Sequence, residues 1–310
     1  MKATAIALFC MHSTMLVFGM TPANAQTNPL WSERKVKNYL PHMTRPEVED
    51  LLTRTDMVIL PVGAVEQHAL HLPMGTDFIS GVERAKLIAQ ETDVLVAPIL
   101  LLGQSPYHMG FTGSITLRSE TIQAVYFEAV QSLIRHGFKR FMILNAHGGN
   151  RATVGFLVDR INQETTGIAM DLGAAAGPFM PVSGWESPTV LDRHAGVSET
   201  SRTMYLAPDL VDLSVAETPR VNMPEHLERM VPDVLAGDPT VTRVFLAEGL
   251  KAEETGKGTS AREMTSTGAW SERDPAESTV EQGRRETQAF IDAAVRFIER
   301  WKELRPMESR

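Results

Sequence analysis

The sequence predicts an α/β fold with a mostly parallel central sheet. Short apolar runs rich in β-branched residues occur at 57–65, 94–100 and 141–144, each the length of a buried strand. Segments with helical apolar periodicity separate them. Strand, helix, strand is a βαβ unit, and its crossover implies parallel pairing. With 310 residues, 43% apolar and 22% charged, the chain has enough apolar material for a substantial core. There is no internal repeat and no second domain boundary, so residues 26–310 read as a single domain.

Residues 1–25 read as a signal peptide. Lys2 gives a positive start, and residues 3–19 are mostly apolar, interrupted by His12, Ser13 and Thr14. Ala23-Asn24-Ala25 is a small-residue cleavage site, which places processing after Ala25. The apolar run is short and interrupted for a membrane span. The formal charge of −8 becomes −9 without Lys2, with 29 basic against 38 acidic residues. The only cysteine, Cys10, is lost with the signal, so the mature chain forms no disulfide and must hold any metal with His, Asp and Glu. The expected location is the periplasm or the extracellular medium. No basic patch stands out, which argues against nucleic acid and, after signal removal, against a membrane.

The mature chain opens with a mixed leader. A short helix follows over 44–52, with Thr44 as N-cap and Pro46 in its first turn. The first strand, 57–64, leads into a polar stretch, and a helix over 79–91 offers Val82, Ala85, Leu87, Ile88 and Ala89 to the core. The second strand takes 94–100, residues 103–113 form a loop, and 114–117 a short extended piece. Ser119 caps a strong helix that stops at Gly137. The third strand, 141–144, is followed by a helix over 151–163 and a fourth strand over 168–172. A helix of two or three turns starts at Gly196 or Val197. Beyond Val211 the pattern weakens: 233–241 reads as a loop and 253–267 as an exposed polar loop. Residues 281–301 form an amphipathic helix that buries Ala289, Phe290, Ala293, Ala294, Phe297 and Ile298.

The chemistry starts where strands stop, since sites in such sheets lie beyond the carboxyl ends of the strands. Glu66, His68, His71 and Asp77 put two carboxylates and two imidazoles within twelve residues. That oxygen and nitrogen mix suits zinc, manganese or iron. Pro73 and Gly75 force the segment to loop, which can fold several ligands toward one point. The competing reading is a polar surface loop. His147, between Asn145 and Gly148-Gly149, is the second signal; a plain strand-to-helix turn and a phosphate loop compete with it, the latter without either glycine-rich phosphate pattern. His194 and Glu199 are the third; the rival view makes Glu199 a helix-dipole partner and His194 a surface residue.

Together these motifs resemble the creatininase (creatinine amidohydrolase) family. The carriers are Glu66-x-His68, Asp77, Asn145-Ala146-His147-Gly148-Gly149-Asn150 and His194-Ala195-Gly196-Val197-Ser198-Glu199-Thr200-Ser201, in the family's order over about residues 50–300. Residues 111–117 and 268–275 add weaker matches. The resemblance implies a three-layer α/β/α sandwich, often in a hexamer, hence a homo-oligomer. It implies two divalent metal ions per protomer, zinc first, with manganese or iron as alternatives. Glu66 and His147 would be terminal ligands of one ion, His68 of the other, with Asp77 bridging. In creatininases proper, a Glu two residues after the loop His completes the second set; here that position is Gly149, and Gly148 replaces a Tyr. Glu199 would supply the missing carboxylate and count with His194, the proton-transfer residue, as catalytic. An indole four residues before that His in creatininases is Val190 here, and Trp185 stands at the wrong spacing.

Two divalent ions about 3.5–4 Å apart can share a hydroxide and polarise a carbonyl. The expected activity is hydrolysis of a C–N bond in a cyclic or small amide through that bridging hydroxide. A non-catalytic metal- or ligand-binding protein on the same fold, or a deformylase- or peptidase-like enzyme, are the alternatives. Gly148-Gly149 makes creatinine itself doubtful as the substrate.

Overall fold

Strand β1, Met57–Val62, is buried along its whole length, and its residues alternate between two cores. Val58, Leu60 and Val62 face one, with Ile122, Tyr126 and Leu157; Met57 and Ile59 face the other, with Ile88, Ile291 and Ile298. In β3, Arg140–Asn145, Phe141 and Ile143 join the first core and Met142 and Leu144 the second. A period of two with both faces apolar is what a sheet covered on both sides requires. The computed structural model describes residues 34–181, 190–252 and 260–307. The signal segment 1–25, Trp185 and residues 253–259 of the polar stretch lie outside these. Two compact units are separated, Met1–Lys35 and Val36–Arg310, and the architecture here is that of the second.

The sheet order is β2-β1-β3-β4, all parallel, with β2 at Leu95–Val96 and β4 at Ile168–Asp171. Helices α1 (Arg45–Leu51), α3 (Ser119–His136) and α4 (Arg151–Glu164) supply the first core. Helices α2 (Thr76–Thr92) and α5 (Leu172–Ala176) supply the second, with the C-terminal helix Val280–Leu304. The result is the three-layer α/β/α sandwich. Before the C-terminal helix come β5 (Asp192–His194), α6 (Val197–Leu206), α7 (Glu225–Glu228), α8 (Val231–Leu235), α9 (Pro239–Glu248), α10 (Ala261–Met264) and β6 (Trp270–Ser271), so that helix is α11. β5 and β6 pair antiparallel. No helix among the described residues is long and apolar enough to cross a membrane.

Several boundaries differ from expectation. The second strand pairs only over Leu95–Val96, because Pro98 has no amide to continue a ladder. α2 begins at Thr76, three residues early, with Gly75 as N-cap, which puts Asp77 in its first turn. Ser119 is the first residue of α3 rather than its cap, and its hydroxyl bonds Thr153 of α4 at 2.8 Å. Residues 233–241 are not a loop: Gly237 (φ 82°) separates α8 from α9, whose N-cap Asp238 accepts from the amides of Thr240 and Val241. The described part of the polar stretch is largely buried, at Ser260, Ala261, Met264, Thr265 and Thr267, while Arg262, Glu263 and Ser266 are exposed. Ser260 and Glu263 form a capping box for α10, and Thr265 and Thr267 accept neighbouring amides, so these hydroxyls carry their own partners inside.

α11 crosses α6 at Gly283, where a Cβ would lie 1.9 Å from the Ser201 carbonyl oxygen. Gly283→Ala is therefore expected to lower stability by about 1–3 kcal/mol, as overpacking does. Urea unfolding measures it, and a midpoint equal to wild type would show that the crossing yields freely.

Candidate metal centre

Every site residue lies past a strand tip or at a helix start. Gly63 follows β1, and a Cβ there would lie 2.5 Å from the Phe78 Cα, so only glycine lets the strand end meet the first turn of α2. That contact brings Asp77 back beside Glu66. The intervening loop closes where the Glu66 amide donates to the Met74 carbonyl at 2.9 Å, and Ala69 takes a left-handed φ of 58°. His147 follows β3. Asn150 ties its loop to the neighbours, donating to the Gly63 carbonyl (2.8 Å) and accepting from the Gln104 amide (3.0 Å). His194 ends β5 and Glu199 sits in the first turn of α6. Gly196 between them admits no side chain, since a Cβ would fall 1.6 Å from an Asp192 carboxylate oxygen.

The geometry brings all six sequence-predicted residues together. Glu66, Asp77 and His147 form one set whose donor atoms lie within 4.8 Å of one another, and His68, Asp77 and Glu199 form another. Asp77 belongs to both. Its Oδ2 lies 2.9 Å from His147 Nδ1 and its Oδ1 3.5 Å from His68 Nε2. Glu199 Oε2 is 3.7 Å from His68 Nε2 and also accepts the Ala195 amide at 2.7 Å, so the helix-start role and the site role coexist. A third set, Glu66, His68 and His194, overlaps the first two.

Each histidine is oriented by a backbone carbonyl. His68 Nδ1 lies 3.1 Å from the Glu66 carbonyl, His147 Nε2 3.0 Å from that of Gln104, and His194 Nε2 2.8 Å from that of Gln67. A carbonyl only accepts, so those nitrogens carry the hydrogen. The other nitrogen of each ring faces the carboxylates, where it can bind a metal once it has lost its proton. Both Glu66 carboxylate oxygens, His68 Nε2 and Asp77 Oδ2 are buried without a hydrogen-bond partner among the described residues. Unpartnered buried carboxylate oxygens are costly, and a divalent cation satisfies carboxylate and imidazole together. The residues therefore fit a metal.

The electrostatics of the metal-free site agree. Burial raises the Glu66 carboxyl to about 7. Burial opposes charge on His68, yet Asp77, Glu199 and Glu66 together hold it up to about 10. His147 is likewise disfavoured by burial and held up to about 9 by Glu66 and Asp77. Against burial, His68 and His147 keep Asp77 far below the usual carboxylate range. Burial, then the charge of His68, pushes His194 down to about 3, so its ring is neutral at ordinary pH.

His71, the other imidazole of the first motif, turns away to the Thr200 hydroxyl at 2.8 Å. The residues missed in the sequence are His108, Tyr107 and Gln67. His108 Nε2 lies 3.4 Å from Glu66 Oε1, and its ring stacks on His194 at 4.3 Å. The Gln67 side-chain amide lies 2.8 Å from His108 Nδ1 and donates to the Gly268 carbonyl at 2.8 Å. The Tyr107 hydroxyl lies 3.2 Å from His147 Nε2 and explains Gly149. A Cβ on Gly149 would stand 2.0 Å from that hydroxyl. The only signal for His108 and Tyr107 was their loop, which leaves the same sheet edge as Glu66. A cavity of about 340 Å³ opens onto the site.

A family model described as creatininase, creatinine amidohydrolase, matches residues 41–298. The creatinine amidohydrolase of Pseudomonas putida is 29% identical over 226 residues, 66% of this chain and 83% of that protein. A mycofactocin precursor peptide peptidase of Mycolicibacterium smegmatis is 31% identical over 159 residues, 49% of this chain and 59% of that one. A solved creatinine amidohydrolase (creatininase) superposes with a TM-score of 0.60 at 21% identity, covering 88% of this chain and 99% of its own. Manganese and zinc–zinc forms of creatininase superpose at 0.59 and 0.60, each at 20% identity and 87% of this chain, with 100% and 99% of theirs. The breadth of the family match, on a sandwich whose strand tips gather the motif residues, makes this chain a member of the creatininase (creatinine amidohydrolase) family of hydrolases.

Proposed function

We propose that the protein is an exported, metal-dependent amidohydrolase that cleaves a C–N bond in a cyclic or small amide. The observation that carries this is the pair of donor sets sharing Asp77. Glu66 and His147 would hold one divalent ion, His68 and Glu199 the other, with Asp77 common to both sets; zinc suits this donor mixture best, with manganese or iron as alternatives. Such a pair supplies an activated hydroxide and polarises a carbonyl. The Gln104, Glu66 and Gln67 carbonyls keep the three imidazoles aimed inward. Burial keeps bulk water from the floor of the site. His194, neutral with Nδ1 3.6 Å from Glu66 Oε1, is the group placed to carry a proton to the leaving nitrogen. Residues 1–25 support export to the periplasm or beyond, and the family resemblance supports a homo-oligomer.

A peptide substrate is the second reading, favoured by the mycofactocin precursor peptidase among the relatives. The cavity is at the small end for a ligand site, which favours a small molecule. Hydrolysis of lactams, amides and formamides, run beside short peptides, separates the two. A chelator is expected to abolish turnover and zinc or manganese to restore it; full activity in metal-free protein would end this proposal.

Metal uptake should be strongly pH-dependent. In the metal-free protein His68 and His147 stay protonated below about 10 and about 9. Bound ions need both rings neutral, so protons compete with metal. Apparent affinity is therefore expected to rise as pH rises from 6 toward 9, with on the order of two protons released per filled site at neutral pH. Calorimetry in buffers of different ionisation heat counts them; uptake without proton release would contradict the histidine assignment.

A further inference from the structure

Arg151 and Arg193 both line the cavity above the metal centre. Arg151 opens α4, four residues after His147, and Arg193 lies in β5 beside His194. Several arginines of this chain are paired: Arg45, Arg54, Arg160, Arg229, Arg284 and Arg300 each meet an acid three or four residues away. Among the described residues the guanidiniums of Arg151 and Arg193 have no hydrogen-bond or ion-pair partner. Asp192, next in sequence to Arg193, is taken elsewhere: it accepts the amides of Val197 and Ser198 and faces Arg273 at 3.9 Å. Both residues are exposed and border the same cavity; partial burial of the guanidinium, then the charge of Arg151, pushes Arg193 down from its ordinary value.

Two guanidiniums on one cavity, neither paired with an acid among the described residues, repel, and an anion bound across them relieves that repulsion. Each offers a planar fork that fits a carboxylate with two parallel hydrogen bonds. The carboxylates that line the cavity, Glu66, Asp77 and Glu199, would not be free for this, since their three negative charges would meet the four positive charges of two divalent ions. The cavity also has an apolar side from Leu246, Leu250 and Trp270.

We propose that Arg151 and Arg193 form a subsite for a carboxylate on the substrate. The amide cleaved is then one that carries an acid and a modest apolar part, such as an N-acylated amino acid or a cyclic amide with a carboxylate. This rests on the amidohydrolase reading and narrows it. The hydrolysis is balanced by water alone: its oxygen bonds the carbonyl carbon, the C–N bond breaks, the nitrogen takes both of the water's protons, and a carboxylate and an ammonium result, on one molecule where the amide was cyclic.

The test is calorimetric titration of metal-loaded protein with N-acetylleucine and with its neutral carboxamide. The acid is expected to bind at least about tenfold more tightly, the scale of a charge-assisted contact. In Arg151→Gln/Arg193→Gln, checked for wild-type metal content and melting temperature, that ratio should fall to near one. If the double variant does not fold, Arg151→Lys and Arg193→Lys, which keep charge but lose the fork, should each lower the ratio. A wild-type ratio near one, no binding of the acid, or a ratio untouched by these substitutions overturns the subsite. Failure of the amidohydrolase reading shows separately, as no turnover of any amide while the binding ratio is still measurable.

Discussion

Asp77→Ala is expected to abolish turnover, with a loss of at least about a thousandfold, and to strip the protein of most of its metal. Asp77 is the one residue common to the two donor sets, with one oxygen toward His147 and the other toward His68. Without it, Glu66 and His147 remain on one side and His68 and Glu199 on the other, two donors each. Two donors hold a divalent ion poorly, and nothing then fixes the separation of a pair. The side chain is buried in the first turn of α2 and makes no hydrogen bond that holds the helix start, so the fold should survive. Activity and elemental analysis on the same folded sample check this. Retention of full metal content with normal turnover would show that another residue bridges.

The largest expected stability effect lies at the opposite end of the sheet. Arg140 opens β3 and is only 2% exposed. Its Nε donates to Asp56 at 2.6 Å and its Nη1 to the Arg305 carbonyl just past α11 at 2.9 Å. The Asp56 carbonyl also accepts the amides of Lys139 and Arg140. One ion pair thus joins the entry of β1, the entry of β3 and the end of the C-terminal helix. Arg140→Leu leaves a carboxylate with no partner in an apolar setting, which costs about 3–5 kcal/mol. Replacing both partners with Leu should recover much of that, because no lone charge remains. Urea midpoints measure both, and metal content per folded molecule should not change. A loss under about 1 kcal/mol in the single variant would mean that water reaches Asp56.

The parts of the site legible in the sequence are those set by local order. Glu66, His68, Asp77, His147, His194 and Glu199 all sit one to several residues past an apolar run or at a helix start, and parallel topology sends such tips to one edge. His108, Tyr107 and Gln67 were not legible, because their positions depend on contacts remote in the chain. Gln67 reaches His108 across 41 residues and Gly268 across 201. No periodicity records such a pairing. The segment after Val211 was misread for another reason. Pro232 and Pro239 look like breakers, yet each stands in the first turn of a helix, where its missing amide has no partner to lose. The largely buried stretch at 260–267 reads as exposed because composition counts hydroxyls as polar without showing that those of Thr265 and Thr267 bond neighbouring amides. Gly149 was legible as a departure from creatininases proper, but not its cause, the Tyr107 hydroxyl that fills the space of its side chain.

The most direct measurement is metal content against activity in one purified preparation. The protein is dialysed with a chelator and then titrated with zinc or manganese, with elemental analysis and amide hydrolysis followed at each step. Activity should climb with loading and level off at about two ions per protomer, as a shared-carboxylate pair demands. A folded enzyme that turns over at full rate with no bound ion, or that saturates at one, would contradict the paired centre built on Asp77.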